Sequence, residues 1–261
     1  MDYILYLLIF CIGTVFGSFF TLAVYRIPLR QDITHTRSYC PKCNHKLSFW
    51  DMIPILSYVF LGGKCRYCKQ KIRPRYLLLE ILSGIVFVLF AISIRFSIWN
   101  VVFLDKQVIS YLVAGLLYIA TLFIIAGIDK ENIKIEKPVL LFGFICVTLY
   151  MMYLYIVGIE TNVYRYVILF IALIILLILS IIDLKRKMKV RYCLQILFLS
   201  LYIIIFNGGI NYAITVLLTL LTIAFYSVGK KKDKKLPIGF FLCVNNIITI
   251  LFTNFILNYF L

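Results

Sequence analysis

Long apolar runs recur along this 261-residue chain, and they constrain its fold more than any other feature. A run of about 18 or more apolar residues can cross the roughly 30 Å hydrocarbon core of a bilayer as a helix. With 63% hydrophobic residues and a mean hydropathy of +1.00, the composition excludes a soluble domain. The pattern predicts an all-α membrane protein with about eight transmembrane helices, over residues 3–25, 77–98, 107–128, 138–158, 164–183, 192–206, 210–228 and 236–259.

The basic residues predict how these spans are oriented. Lysine and arginine favour the cytoplasmic side of short loops. With the N-terminus outside, 24 of the 27 basic residues fall in four cytoplasmic segments, namely 26–76, 129–137, 183–191 and 229–235. The net charge of +16 is then mostly a consequence of topology. We therefore expect a lipid bilayer, and not nucleic acid, beside these loops. The first span lacks a basic start and a small-residue cleavage site, so we expect it to be retained and not to be a signal peptide.

Two CxxC pairs lie in the loop between the first two spans, at Cys40 and Cys43 and at Cys65 and Cys68. Pairs at this separation fit a tetrahedral four-cysteine zinc site, which would be closed to water and therefore structural. A loop of this size cannot build much of a core, so a metal would stabilise it. Two disulfides are the alternative. A loop in the reducing cytoplasm favours zinc.

Three acidic residues lie at predicted span ends on the face predicted to be cytoplasmic: Glu80, Asp129 and Asp183. Asp129 closes the third span and Asp183 closes the fifth, so both lie at a similar depth on helices running in the same direction. If these helices are neighbours, the two carboxylates can share a proton and a water molecule, as in aspartic proteases. This interpretation predicts hydrolysis of a peptide bond at the membrane surface. The alternative is that both are ordinary helix ends, with Asp183 neutralising Lys185 or Lys187.

An ordered series of motifs extends from the first span into the second and continues later in the chain. The series comprises GSFFTLAVYRIP at 17–28, CPKC at 40–43, IPILSY at 53–58, GKCRYC at 63–68, IRPRY at 72–76 followed by Glu80, AGID at 126–129 and LPIGFF at 236–241. Together these motifs resemble the type IV prepilin leader peptidase/N-methyltransferase family. That family is related in motif to the GxGD-type membrane aspartic proteases.

The resemblance implies an activity, cofactors and a location. A family member in the bacterial plasma membrane removes the basic leader from prepilins or pseudopilins at the cytoplasmic face. It then methylates the new N-terminus with S-adenosylmethionine. The resemblance implies that Asp129 and Asp183 are the catalytic pair and that the four loop cysteines are zinc ligands. Glu80 is a candidate for the methyl-transfer step, or else a partner of Arg73 or Arg75.

The stretch Ser180-Ile-Ile-Asp183 departs from the family pattern, because both glycines of GxGD are replaced while Asp183 and Lys185 remain. This departure motivates an alternative function, a catalytically impaired relative acting as a membrane assembly factor. A solute or ion carrier is a further alternative, and it predicts acids near the membrane midplane. For the domain organisation, we expect a first transmembrane helix at 1–25, a zinc loop at 26–76 and a seven-helix peptidase core at 77–261.

Overall fold

The computed structural model describes residues 2–33, 37–40, 42–158, 188–228 and 236–260, with five isolated positions between 164 and 174. The chain divides into two compact units, Met1–Asp105 and Lys106–Leu261. The first unit contains α1 (Asp2–Arg26), a 3₁₀ helix (Phe49–Met52), α2 (Leu56–Phe60), α3 (Arg75–Ser93) and α4 (Ile98–Val102). The second unit contains α5 (Lys106–Asn132), α6 (Lys137–Val157), α7 (Met188–Asn207), α8 (Gly209–Val228) and α9 (Ile238–Tyr259).

The predicted all-α membrane fold is confirmed. Among the described residues, six helices are long and apolar enough to cross a membrane, namely α1, α3, α5, α6, α8 and α9. The predicted span at 192–206 corresponds to a shorter apolar helix, Tyr192–Asn207. The predicted span at 164–183 lies outside the described residues apart from the isolated positions. Helices dominate because a backbone in lipid must satisfy its own hydrogen bonds.

Small residues let α1 and α3 pack closely in the first unit. Gly13 and Gly17 of α1 face Ser83 and Gly84 of α3. A Cβ atom on Gly13 would lie 2.7 Å from the Cα atom of Gly84, so the two backbones are nearly in contact. The Ser83 hydroxyl donates a 2.7 Å hydrogen bond to the Gly13 carbonyl. This combination of glycines and a hydroxyl is typical of helix pairs that associate within lipid.

In the second unit, α5 and α9 lie against each other, and α6, α7 and α8 pack around them. The core between α5 and α7 is aromatic, with the rings of Tyr118 and Phe206 stacked at 4.0 Å. A polar seam runs beside it. Tyr118 donates to Asn246 of α9 at 2.6 Å, and Asn246 donates to Thr215 of α8 at 3.1 Å. Such interhelical hydrogen bonds stabilise a bundle whose surroundings are as apolar as its side chains.

We predict that Gly17→Ala lowers the free energy of unfolding by about 1–3 kcal/mol, the usual cost of overpacking. The new Cβ would lie 2.8 Å from the Glu80 Cα atom, and backbone cannot move away cheaply. Thermal unfolding in detergent measures the effect. Gly209→Ala is the matched control, because its Cβ would meet nothing within 4 Å. Equal stability of the two variants would contradict the close packing of α1 on α3.

Candidate active site and four-cysteine centre

Asp129 lies fully buried near the end of α5, and α7 and α9 supply its hydrogen-bond donors. Its Oδ2 atom accepts a 3.0 Å hydrogen bond from the Tyr192 hydroxyl of α7. The same oxygen accepts a 2.9 Å hydrogen bond from the backbone N–H of Phe240 in α9. The carboxylate is therefore held in one orientation through a single oxygen.

The close approach of α9 depends on the LPIGFF stretch. Pro237 precedes the helix, and Phe240 lies in its first turn, where backbone N–H groups have no partner within the helix. Gly239 leaves room for the acid, since a Cβ at this position would lie 3.0 Å from the Asp129 Oδ2 atom. The positive end of the helix dipole at the start of α9 favours a negative charge on this carboxylate.

The second oxygen of Asp129 is in a different situation. Oδ1 is buried, and no hydrogen-bond donor reaches it from the part of the chain that the structure describes. A buried acceptor without a partner costs about 1–3 kcal/mol, so such an atom usually accepts a hydrogen bond from a water molecule or another bound group. Asp183, the predicted partner, lies outside the described residues, and the dyad stays a prediction.

Sequence reasoning missed Tyr192. It is one of 19 tyrosines, and it lies in an apolar stretch where an aromatic residue is expected to be part of the core. Its hydroxyl bonds Asp129 from 63 positions away. It also accepts a 3.4 Å hydrogen bond from the Gly239 N–H, and so it links α5, α7 and α9. No periodicity or motif signals a pairing of this kind.

Glu80 is half-buried on α3, and it holds a tight turn of the preceding loop. Its Oε2 atom accepts a 2.8 Å hydrogen bond from the Ile55 N–H. Ile55 has φ 62° and ψ −55°, and the Leu56 N–H donates to the Pro54 carbonyl at 2.6 Å. This is a γ-turn of the rare, strained kind, here at a β-branched residue. The carboxylate of Glu80 stabilises this turn by accepting the hydrogen bond of the Ile55 N–H, which points toward α3.

The two CxxC segments form two knuckles with the same backbone hydrogen bonds. In the first, the Cys40 N–H donates to His45 at 3.0 Å and the Asn44 N–H donates to Cys40 at 2.8 Å. In the second, Cys65 donates to Gln70 at 2.8 Å and Lys69 donates to Cys65 at 3.0 Å. The repeated pattern presents both thiols of each knuckle on one side.

The four thiols converge on a point that suits a metal ion. The sulfur atoms of Cys40, Cys43, Cys65 and Cys68 lie within 4.8 Å of one another, and those of Cys40 and Cys68 are 3.8 Å apart. Zinc with four ligands at about 2.3 Å requires sulfur separations of about 3.8 Å. Burial raises the pKa of Cys40, but hydrogen bonds from Cys43, Lys42 and Cys65 lower it to about 7. The backbone hydrogen bond from Gln70 lowers the pKa of Cys68, but burial and the neighbouring thiols raise it to about 11. The sulfur–sulfur spacing and the four cysteine ligands therefore fit a metal ion held by four thiolates.

Two polar contacts fix this centre to its surroundings. The buried Arg26 at the end of α1 donates to the Asp32 carbonyl at 2.9 Å, and it lies over the Tyr39 ring beside the first knuckle. Arg66 of the second knuckle pairs with Asp51 at 2.6 Å. Burial raises the pKa of Asp51, but hydrogen bonds from Arg66 and Ser48 together hold it below its ordinary value. The pair therefore persists at neutral pH and is lost only as the pH falls through that lowered value.

Fold and site together define a multi-pass helical membrane protein with a four-thiol loop after its first span and a buried aspartate at the end of a later span. Residues 11–94 match the family model described as the Bacterial Peptidase A24 N-terminal domain. Together with the relatives named below, this match confirms the resemblance to prepilin leader peptidases. It includes the four cysteines and Glu80 and ends before Asp129.

Curated relatives agree with the family match. A prepilin leader peptidase/N-methyltransferase of Vibrio cholerae is 38% identical over 89 residues, which are 31% of this chain and 35% of that protein. Proteins of the same name from Klebsiella pneumoniae and Bacillus subtilis are each 33% identical. The first match covers 48% of this chain and 52% of the relative, and the second covers 52% and 50%. The chain thus spans about a third to a half of the curated relatives it matches. No solved structure matches it.

Proposed function

We propose that this chain is a membrane aspartic endopeptidase that removes the basic leader from type IV prepilins or pseudopilins. Cleavage takes place at the cytoplasmic face of the bacterial plasma membrane, and methylation of the new N-terminus by S-adenosylmethionine follows. The observation that carries the proposal is the buried Asp129, held through Oδ2 while Oδ1 accepts nothing from the described residues. The names of the curated relatives support the substrate class.

In this mechanism Asp129 is the general base. Tyr192 and the α9 N-terminus favour its negative charge, and Oδ1 accepts a proton from the attacking water. The resulting hydroxide adds to the scissile carbonyl carbon. Asp183, assigned from sequence alone, supplies the proton that the leaving amine takes as the C–N bond breaks. Two acids at one site can carry out both proton transfers, from the water and to the leaving amine, if one acid is ionised and the other is protonated.

The four cysteines have a structural role in this proposal. Cys40, Cys43, Cys65 and Cys68 would hold Zn²⁺, whose four thiolate ligands leave no position for water or substrate. The ion would cross-link the loop and would take no part in catalysis. Glu80 remains the candidate for methyl transfer on the family resemblance alone, and its observed contact is the hydrogen bond that it accepts from the Ile55 N–H.

The alternative is a catalytically impaired relative that serves as a membrane assembly factor. Ser180-Ile-Ile-Asp183 favours it, since Ser180 and Ile182 replace the two glycines of the family motif, and a β-branched isoleucine has far less backbone freedom than glycine. This alternative predicts that the protein inserts and binds its metal normally and cuts nothing.

The test is reconstitution of the purified protein into liposomes with each full-length prepilin of its own organism. Mass spectrometry of the product reports both reactions, because the leader is lost and the new N-terminus gains one methyl group when S-adenosylmethionine is present. We expect cleavage without the cofactor and methylation only with it. An inserted, metal-loaded protein that leaves all of these prepilins intact would favour the assembly factor.

We predict that Tyr192→Phe slows cleavage about 10- to 100-fold, which corresponds to a lost hydrogen bond to a charged group. The ring still packs, but Oδ2 of Asp129 loses one of its donors. The measurement is kcat and KM for prepilin cleavage, and we expect the loss in kcat. Tyr212→Phe is the control, because the Tyr212 hydroxyl makes no hydrogen bond to the part of the chain that the structure describes. A Tyr192→Phe enzyme as fast as this control would show that Tyr192 only fills space.

A further inference from the structure

The loop between α1 and α3 carries an exposed apolar surface on the side chains of its 3₁₀ helix and of α2. Phe49 and Trp50 are 72% and 68% exposed, and Val59 and Phe60 are 62% and 83% exposed. With Leu56, these residues form what we call the aromatic ridge. Large apolar side chains clustered on a surface usually mark an interaction with protein or membrane.

The ridge is a fixed feature of the fold. Leu56, Val59 and Phe60 have the spacing that places three side chains on one face of a helix. Tyr58 points the other way, because its ring approaches Gly63 and its hydroxyl lies 3.5 Å from the Ile72 carbonyl. At the 3₁₀ helix, Asp51 accepts from the Ser48 hydroxyl at 2.9 Å and pairs with Arg66. The exposed side chains are therefore held outward by the contacts that their neighbours make within the loop.

The bond between Glu80 and Ile55 sets the depth of the ridge. The 19 residues of α3 extend about 28 Å at about 1.5 Å per residue, so nearly all of the helix is needed to cross the hydrocarbon core. Glu80 lies five residues after Arg75, which is about 8 Å along the axis. Because Ile55 bonds Glu80 and α2 starts at Leu56, the α2 part of the ridge begins at this depth. Amphipathic helices that lie in a membrane surface bury their apolar face by about 5–10 Å.

Charge and residue type favour lipid as the occupant. Residues 26–76 hold eleven basic residues and two acidic ones, which attracts anionic headgroups. Tryptophan is enriched where apolar chains meet headgroups. Both ends of the loop continue into membrane-spanning helices, α1 and α3, so it cannot leave the surface. We propose that the aromatic ridge is inserted among phospholipid headgroups and holds the four-cysteine loop flat against the bilayer.

Fluorescence of Trp50 in the full chain tests this proposal. The chain has two tryptophans, and Trp99→Phe leaves Trp50 alone without altering the ridge. The protein is reconstituted in phosphatidylcholine and phosphatidylglycerol vesicles that contain lipids brominated near the headgroup or near the chain end. We expect strong quenching by the shallow bromines and weak quenching by the deep ones. We also expect quenching by aqueous iodide about threefold weaker than at a water-facing position.

The water-facing control is Gln70→Trp in a chain with Trp50→Phe and Trp99→Phe. Gln70 is exposed on the second knuckle beside Lys69 and Lys71. If iodide quenches Trp50 as efficiently as this control, and brominated lipid does not, the proposal is overturned. Protection that appears only when a prepilin is added would also overturn it, because the ridge would then be a docking surface for protein. Val59→Ser with Phe60→Ser should raise the iodide quenching of Trp50 toward that of the control.

Discussion

Replacing Asp129 with asparagine should slow prepilin cleavage about 10²–10⁴-fold, the contribution usual for a general base. Asparagine keeps the shape of the side chain and still offers one oxygen to the Phe240 N–H, so α9 retains its cap. The variant loses the capacity to accept a proton from water at Oδ1. The measurement is the single-turnover rate of leader removal in liposomes. We expect the same loss for Asp183→Asn.

Glu131→Gln is the matched control for this prediction. Glu131 is exposed two residues later on the same helix, so its substitution removes an equal charge from the surface. We expect the rate of this control to stay within about twofold of wild type. Cleavage by Asp129→Asn at the rate of the control would remove Asp129 from the mechanism and leave it as a helix cap.

Replacing Cys40 and Cys65 with serine should abolish metal binding and unfold the loop between α1 and α3. A structural zinc site of thiolates contributes on the order of 10–16 kcal/mol in zinc-finger peptides, far more than a loop of this size gains from apolar burial. Elemental analysis of the purified protein should find one zinc ion in each wild-type chain and none in the variant. Limited proteolysis should then cut the variant within residues 42–74, where the wild type resists.

Cys11→Ser is the control for the cysteine experiment, because this exposed thiol lies in α1 outside the cluster. It should bind zinc as the wild type does. The zinc assignment fails if the wild-type chain purifies without metal and its loop nevertheless resists the protease. A wild type that holds a different ion in equal amount would keep the site and change only the metal.

Hydropathy predicted most of the described spans well, because the hydropathy of a segment depends only on the composition of that segment. It placed the end of the second span at residue 98, whereas α3 ends at Ser93 and the chain turns through Arg95 at φ 54°. That turn breaks a run that remains apolar, so no average over a window detects it. The convergence of the four cysteines was equally predictable, since each CxxC pair is a short sequence motif and two such pairs supply the four ligands that a zinc ion takes.

The surroundings of Asp129 could not be predicted. The Phe240 N–H reaches Asp129 from 111 positions away, and its role depends on where α9 begins and not on the phenylalanine side chain. The sequence shows LPIGFF as a motif, but only the fold shows that its glycine makes room for a carboxylate. The acid itself stood out as a candidate in the sequence, because ionisable groups in and near membrane spans are costly and few.

The glycine contact between α1 and α3 has a consequence for biogenesis. Ribosomal synthesis delivers α1 to the bilayer first, and the cysteine loop emerges before α3 can insert. The loop is tied to α1 through Arg26 and to α3 through Glu80, so pairing of the two helices also fixes both ends of the loop that carries the knuckles. A metal bound by the four thiols would therefore stabilise the first helical hairpin as well as the loop, because the ends of the loop are fixed to both helices.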